Sequence, residues 1–215
     1  LTYSGHGGSG PVGAWDDLVP TANEESHGTA IAGTQDGPTS SDIGTDSFIY
    51  DYTITDGVAL KAAYKPSKSG GLDSSTEIGV QYTGIDGLTV SFAAGENNAA
   101  ADQIDLSVFS ANYSTGPMSF GIQVNETDHG TGANSEDFTA YGVSYAVSDD
   151  VSVSYGVSTI DYASATKEDQ DSSAVSVSFT AGGVAISGSY QPTDNVAGTT
   201  TMDNTGYEVN FSFAF

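Results

Sequence analysis

The chain has 215 residues, of which 28 are Asp or Glu against 4 Lys and no Arg, for a formal net charge of -24. It lacks the clustered cations that neutralise phosphates, which argues strongly against nucleic acid or heparin as a partner, and with no Cys it has no disulfide scaffold, thiolate metal site or cysteine nucleophile. Mean hydropathy is -0.20 and no apolar run is long enough for a transmembrane helix, so a membrane location would require strands.

The 27 Gly and 12 Tyr, with few helix formers, make a β composition. Leu1 is preceded by no Met, and no charged-then-apolar leader opens the chain, so a secretion signal is expected to have been removed already. Leu1-Thr2-Tyr3 reads as the end of a strand. Ser4 to Gly44 has no sustained periodicity and is rich in Gly, Ser, Thr and acids. A stretch of that length is either disordered or a functional loop. Trp15, Leu18, Val19 and Thr29-Ala30-Ile31-Ala32-Gly33 argue for a loop that packs on something.

From Thr45 onward, eleven segments show period-two patterning: 45–54, 57–66, 75–84, 87–95, 103–114, 117–126, 136–147, 150–161, 172–181, 184–192 and 204–215. Their connections alternate strictly. Thr55-Asp56-Gly57, Gly84-Ile85-Asp86-Gly87, Ser114-Thr115-Gly116, Ser148-Asp149-Asp150 and Gly182-Gly183 suit tight hairpins. The intervening connections are long. A meander then collects all tight turns at one end and all long loops at the other, as in an all-β, transmembrane, antiparallel up-and-down barrel. Ten residues rising about 3.4 Å each at a tilt near 40° span about 26 Å, close to an apolar membrane band.

Parity assigns lipid-facing stripes: Val58, Leu60, Ala62 and Tyr64; Leu88, Val90, Phe92 and Ala94; Met118, Phe120, Ile122 and Val124; Val151, Val153, Tyr155 and Val157; Val175, Val177 and Phe179. Segment 103–114 breaks step, with Ile104, Leu106 and Val108 on one parity and Phe109, Ala111 and Tyr113 on the other; a bulge or a two-sided contact is expected there. Aromatic belts are expected at Tyr52, Tyr82, Tyr113, Tyr145 and Phe215 on the short-turn rim, and at Tyr64, Phe138, Tyr190 and Tyr207 on the long-loop rim. The last strand ends Asn210-Phe211-Ser212-Phe213-Ala214-Phe215. By itself that ending suits a soluble sandwich as well as a barrel.

His6, His27 and His129 have no ligand spacing, and neither a Gly-x-Ser-x-Gly elbow nor a zinc-protease His motif is present, so no catalytic residue and no enzyme activity are expected. Asp149-Asp150, Glu168-Asp169 with Asp171, and Glu136-Asp137 are acid clusters that suit calcium chemically, although solvated rim charge is the more ordinary role. No other cofactor or metal is expected.

A long acidic segment followed by eleven strands and a terminal Phe resembles the carboxyl-terminal portion of a sixteen-stranded Gram-negative general diffusion porin. In that family the connection between the fifth and sixth strands folds into the lumen. The resemblance implies that residues 1–44 are a strand end plus a pore-constriction loop, and that 45–215 are the barrel strands, with about five strands upstream of Leu1; closure of this chain alone with ten or twelve strands is the alternative. It implies constriction residues Asp16, Asp17, Glu24, Glu25 and Asp36, while parity adds the pore-wall residues Asp51, Lys61, Glu77, Asp105 and Glu208 and a preference for cations. It also implies an outer-membrane location, surrounding lipid, small hydrophilic solutes, a homotrimer, and Phe215 as the signal read by the outer-membrane assembly machinery. The competing expectation is an acidic surface adhesin or structural β-protein with calcium-binding loops.

Overall fold

The computed structural model describes residues 1–23, 26, 41–67, 73–98 and 103–213. One antiparallel sheet contains every described strand: β1 (Thr2–Ser4), β2 (Ser47–Thr55), β3 (Val58–Lys65), β4 (Ser75–Ile85), β5 (Leu88–Asn97), β6 (Ile104–Thr115), β7 (Met118–His129), β8 (Glu136–Ala146), β9 (Val151–Tyr162), β10 (Gln170–Ala181), β11 (Val184–Asp194) and β12 (Asn204–Phe213). Spatial order equals chain order from β1 to β12. This is the up-and-down topology expected from the alternating connections. A two-sheet sandwich is excluded among the described residues, because no second sheet exists to cover the apolar face. A single helical turn, α1 (Val12–Trp15), and a 3-10 turn (Val196–Gly198) lie in connections.

The tight turns follow from local chemistry. Gly182 and Gly183 both take positive φ, 59° and 82°, as a two-residue hairpin twisting with its strands requires. Strands extend beyond the expected segments mainly at the long-loop end, where β7 runs to His129 and β11 to Asp194. There both faces are polar, so period-two contrast fades although the ladder continues.

Register defines the two faces. The outer one carries the expected stripes: Phe92 lies opposite Phe109, Val177 opposite Val153, and Ile186 opposite Phe179 and Phe211. These side chains are largely exposed in the isolated chain, Phe92 at 53 % and Val177 at 45 %. All seven expected girdle tyrosines, Tyr52, Tyr64, Tyr82, Tyr113, Tyr145, Tyr190 and Tyr207, belong to this face and are exposed. The rings of Tyr190 and Tyr207 meet across β11 and β12 with centroids 5.2 Å apart. Toward the long loops the outer face turns polar, with Glu96, Asp105 and Asp128 aligned across β5–β7, and Asp137 and Asp161 across β8–β9.

The inner face is small and polar, and the segment after β1 packs against it. Three apolar contacts hold that segment. Ile43 joins Ile49 and Ala63; Val12 and Trp15, flanked by Ala14 and Leu18, join Ala93, Ile104, Leu106 and Val108; Val19 joins Phe138, Ala140, Ile160 and Tyr162. Full burial of a side chain such as Val12 contributes about 1.5–3 kcal/mol, so these contacts fasten the segment firmly. They also explain β6, whose register is unbroken: Leu106 and Val108 meet the loop while Phe109 and Tyr113 face outward. The two-sided contact is observed, without a bulge. Phe138 is corrected by the same cluster. It is fully buried on the inner face under Val19 and is no part of the outer girdle.

Candidate functional site: the loop on the inner wall

The segment is stitched to successive strands by polar bonds. The Val12 N–H donates to Glu77 Oε2 at 3.0 Å, and the Ser41 hydroxyl donates to Glu77 Oε1. Gln123 Nε2 donates to the Trp15 carbonyl at 2.9 Å, and Asn125 Nδ2 to the Asp16 carbonyl at 2.9 Å. Further on, the Ala22 N–H donates to Ser154 Oγ at 2.8 Å. The returning end is fixed by Lys65, whose Nζ lies 3.0 Å from Asp42 Oδ2. From β4 to β9 the chain thus crosses the inner wall.

Close approach depends on missing side chains. A Cβ on Gly79 would fall 2.3 Å from Trp15 Cζ3, one on Gly121 2.3 Å from Pro20 Cδ, and one on Gly142 2.2 Å from Val19 Cγ1. These inward-facing glycines on β4, β7 and β8 form the track on which the loop lies. Sequence reasoning missed that track, together with Gln123, Asn125 and Ser154. The available signal was a Gly at mid-strand on the polar parity, where Ser or Thr is the usual occupant.

The expected site residues separate into distinct groups. Asp16 is half-buried and Asp17 exposed, both just after α1 on the loop. Asp51 and Lys61 are direct cross-strand partners on the inner wall, with Nζ and Oδ1 3.9 Å apart. Glu208 is also inward, opposite Ser189, and accepts from Asn210 Nδ2 at 2.6 Å. Glu77 faces inward but is only 4 % exposed beneath the loop; it anchors the loop and is corrected as a lumen-facing wall charge. Asp105 is also corrected. It shares the parity of Phe109, which pairs with outward Phe92, so it belongs to the outer face. Glu24, Glu25, Asp36 and Phe215 lie outside the described residues.

One acid cluster is split by strand parity. Glu136 and Asp137 are consecutive strand residues and therefore take opposite faces, Glu136 lying 3.8 Å from Lys167 Nζ. Among the described residues no three Asp, Glu or His side chains are grouped as a metal site. Instead, Lys167 stacks its Nζ 3.9 Å from the Tyr162 ring centroid, tying the β9–β10 connection to the inner wall. The β11–β12 connection turns inward beside it, where the Ala197 N–H donates to buried Gln170 Oε1 at 2.9 Å.

The described inner wall carries hydroxyls, amides and carboxylates. The arrangement offers a polar wall, an apolar aromatic exterior and an acidic strap across the interior. A family profile described as Gram-negative porin matches residues 5–179. Among solved structures, the chain is similar to the anion-selective porin from Comamonas acidovorans, with 16% identity, a TM-score of 0.66, and coverage of 80% of this chain and 60% of that one. It is also similar to a triple mutant of the Rhodopseudomonas blastica porin, with 21% identity, a TM-score of 0.57, and coverage of 79% and 55%. A third is OmpT, an outer membrane protein of Vibrio cholerae, with 17% identity, a TM-score of 0.55, and coverage of 80% and 64%. The chain therefore spans about three fifths of the length of these solved porins. A search of curated proteins found no significant match. With the profile covering most of its length, the chain belongs to the Gram-negative porin family.

Proposed function

We propose that the protein of which this chain is part forms a water-filled channel for passive diffusion of small hydrophilic solutes and ions, with a preference for cations. The family is one of outer-membrane channels rather than enzymes, and the outer membrane of a Gram-negative bacterium is where this chain belongs. The observation that carries the channel reading is the division of faces. Aromatic and branched apolar side chains cover the outside, while Ser, Gly and Gln fill the inside beneath a strap bearing Asp16 and Asp17.

Cation preference is supported by the charge inventory. The chain carries -24 with no Arg, and each described lysine, Lys61, Lys65 and Lys167, already sits beside a carboxylate. Carboxylates on a narrow aqueous path attract cations and repel anions. The Comamonas porin is anion-selective. Selectivity resides in side chains, and at 16% identity the shared backbone does not transfer it. Lipid on the outer face, homotrimeric assembly and delivery by the outer-membrane assembly machinery through Phe215 complete the proposal by family analogy.

Planar-bilayer recording with the full-length protein tests it. Discrete conductance steps are expected, with a reversal potential in a KCl gradient on the cation side. Absence of steps would overturn the channel, and a reversal potential on the anion side would overturn the selectivity.

A further inference from the structure

One cavity on the inner wall brings together groups that the constriction alone does not require. Its volume is about 290 Å³, and Trp15, Asp51, Thr53, Ala59, Lys61 and Gln81 line it. That volume is at the small end of ligand pockets, which suits a solute of amino-acid size and excludes an oligosaccharide.

Two features make the cavity chemically directional. The Asp51 carboxylate and Lys61 ammonium stand 3.9 Å apart, too far for a hydrogen bond, and the carboxylate side is 67% exposed. Each therefore retains hydrogen-bonding capacity toward a guest. Beside them lies the Trp15 indole, held in place because the Trp15 carbonyl accepts from Gln123 and α1 is anchored by Glu77. The Gln81 amide in the lining is held by donating from Nε2 to Ser91 Oγ at 3.1 Å.

We infer that this cavity is a binding subsite for free α-amino acids, recognised by their paired ammonium and carboxylate. The guest's ammonium lies against Asp51 and its carboxylate against Lys61, so two opposed ion pairs replace one loose pair. Its side chain reaches only the edge of Trp15 that the loop packing leaves exposed. A neutral polyol gains nothing from the paired charges, and an ion of one sign meets repulsion from one of them. The inference rests on the channel reading, for which the cavity opens on the solute path.

The test uses L-phenylalanine against 3-phenylpropionate, which lacks the ammonium, 2-phenylethylamine, which lacks the carboxylate, and glycerol. Binding is followed by saturation-transfer NMR on the detergent-solubilised protein and by transient current block in bilayers. L-phenylalanine is expected to bind about tenfold more tightly than either singly charged analogue, the scale of one partly exposed charge-assisted bond. Asp51→Asn and Lys61→Met are expected to abolish that preference while leaving conducting channels, and Asp51→Glu to restore most of it. Equal binding of all four probes, or a preference unchanged in both variants, overturns the inference. A protein that conducts but shows no zwitterion preference refutes the subsite alone. A protein that shows the preference in detergent but never conducts refutes the channel alone.

Discussion

Gly79→Ala isolates the docking of the loop from the integrity of the barrel wall. The added Cβ would lie 2.3 Å from Trp15 Cζ3, 2.9 Å from the Phe92 carbonyl oxygen and 2.9 Å from Pro11 Cβ. None of these is the end of a flexible chain: one is a packed indole, one is backbone and one belongs to a proline ring. Overpacking of this kind costs about 1–3 kcal/mol, whereas stiffening the unfolded chain returns only about 0.4–1 kcal/mol. The imbalance is relieved by lifting α1, which in turn strains the bond from the Val12 N–H to Glu77. The strand ladders on both sides of Gly79 are backbone bonds and remain. The chain has a single Trp, and it is 9% exposed, so its emission reports α1 directly. The expected outcome is a red-shifted Trp15 emission and greater acrylamide quenching, with an unchanged far-ultraviolet circular dichroism spectrum and altered single-channel conductance. Wild-type emission, quenching and conductance in this variant would refute the close packing of loop on wall.

Adjacent residues on β10 test the assignment of faces. Val177→Arg is expected to cost about 2–4 kcal/mol in refolding into lipid vesicles if it lies near the bilayer midplane, whereas Ser178→Arg, one residue on and facing inward, is expected to cost far less; equal losses would contradict the register. Glu208→Gln is expected to reduce the cation reversal potential at low salt and to have little effect at 1 M, where the screening length is about 3 Å. Asp105→Asn is expected to leave that potential unchanged, which checks its outward placement. Gly182→Ala meets nothing within 4 Å, so its positive φ of 59° is the sole source of strain. A loss of about 1–2 kcal/mol is expected in urea unfolding, and a smaller one would show that the hairpin tolerates another turn geometry.

The strand series was legible because each strand faces two different surroundings along its whole length, and alternation of Val or Phe with Ser records both. The eleven strands from β2 onward, their antiparallel order and the outward girdle tyrosines all follow from that local contrast. Legibility failed where a third environment intervened. Leu106 and Val108 are apolar because a loop remote in sequence covers them, so parity on β6 has two apolar answers and points Asp105 to the wrong side. Phe138 resembles an interfacial ring in sequence for the same reason, since the Val19 that covers it is remote in the chain.

Glu77 carries the same lesson for charge. Its parity is inward, as expected, yet the Val12 N–H and the Ser41 hydroxyl turn it from a wall charge into an anchor. Sequence by itself determined the strands, their up-and-down order and the faces of those that no loop covers, since these depend on the nearest neighbours and the local solvent. Only the tertiary structure decided where the acidic segment lies, which carboxylates it covers and which glycines receive it, because those contacts join residues up to 133 positions apart.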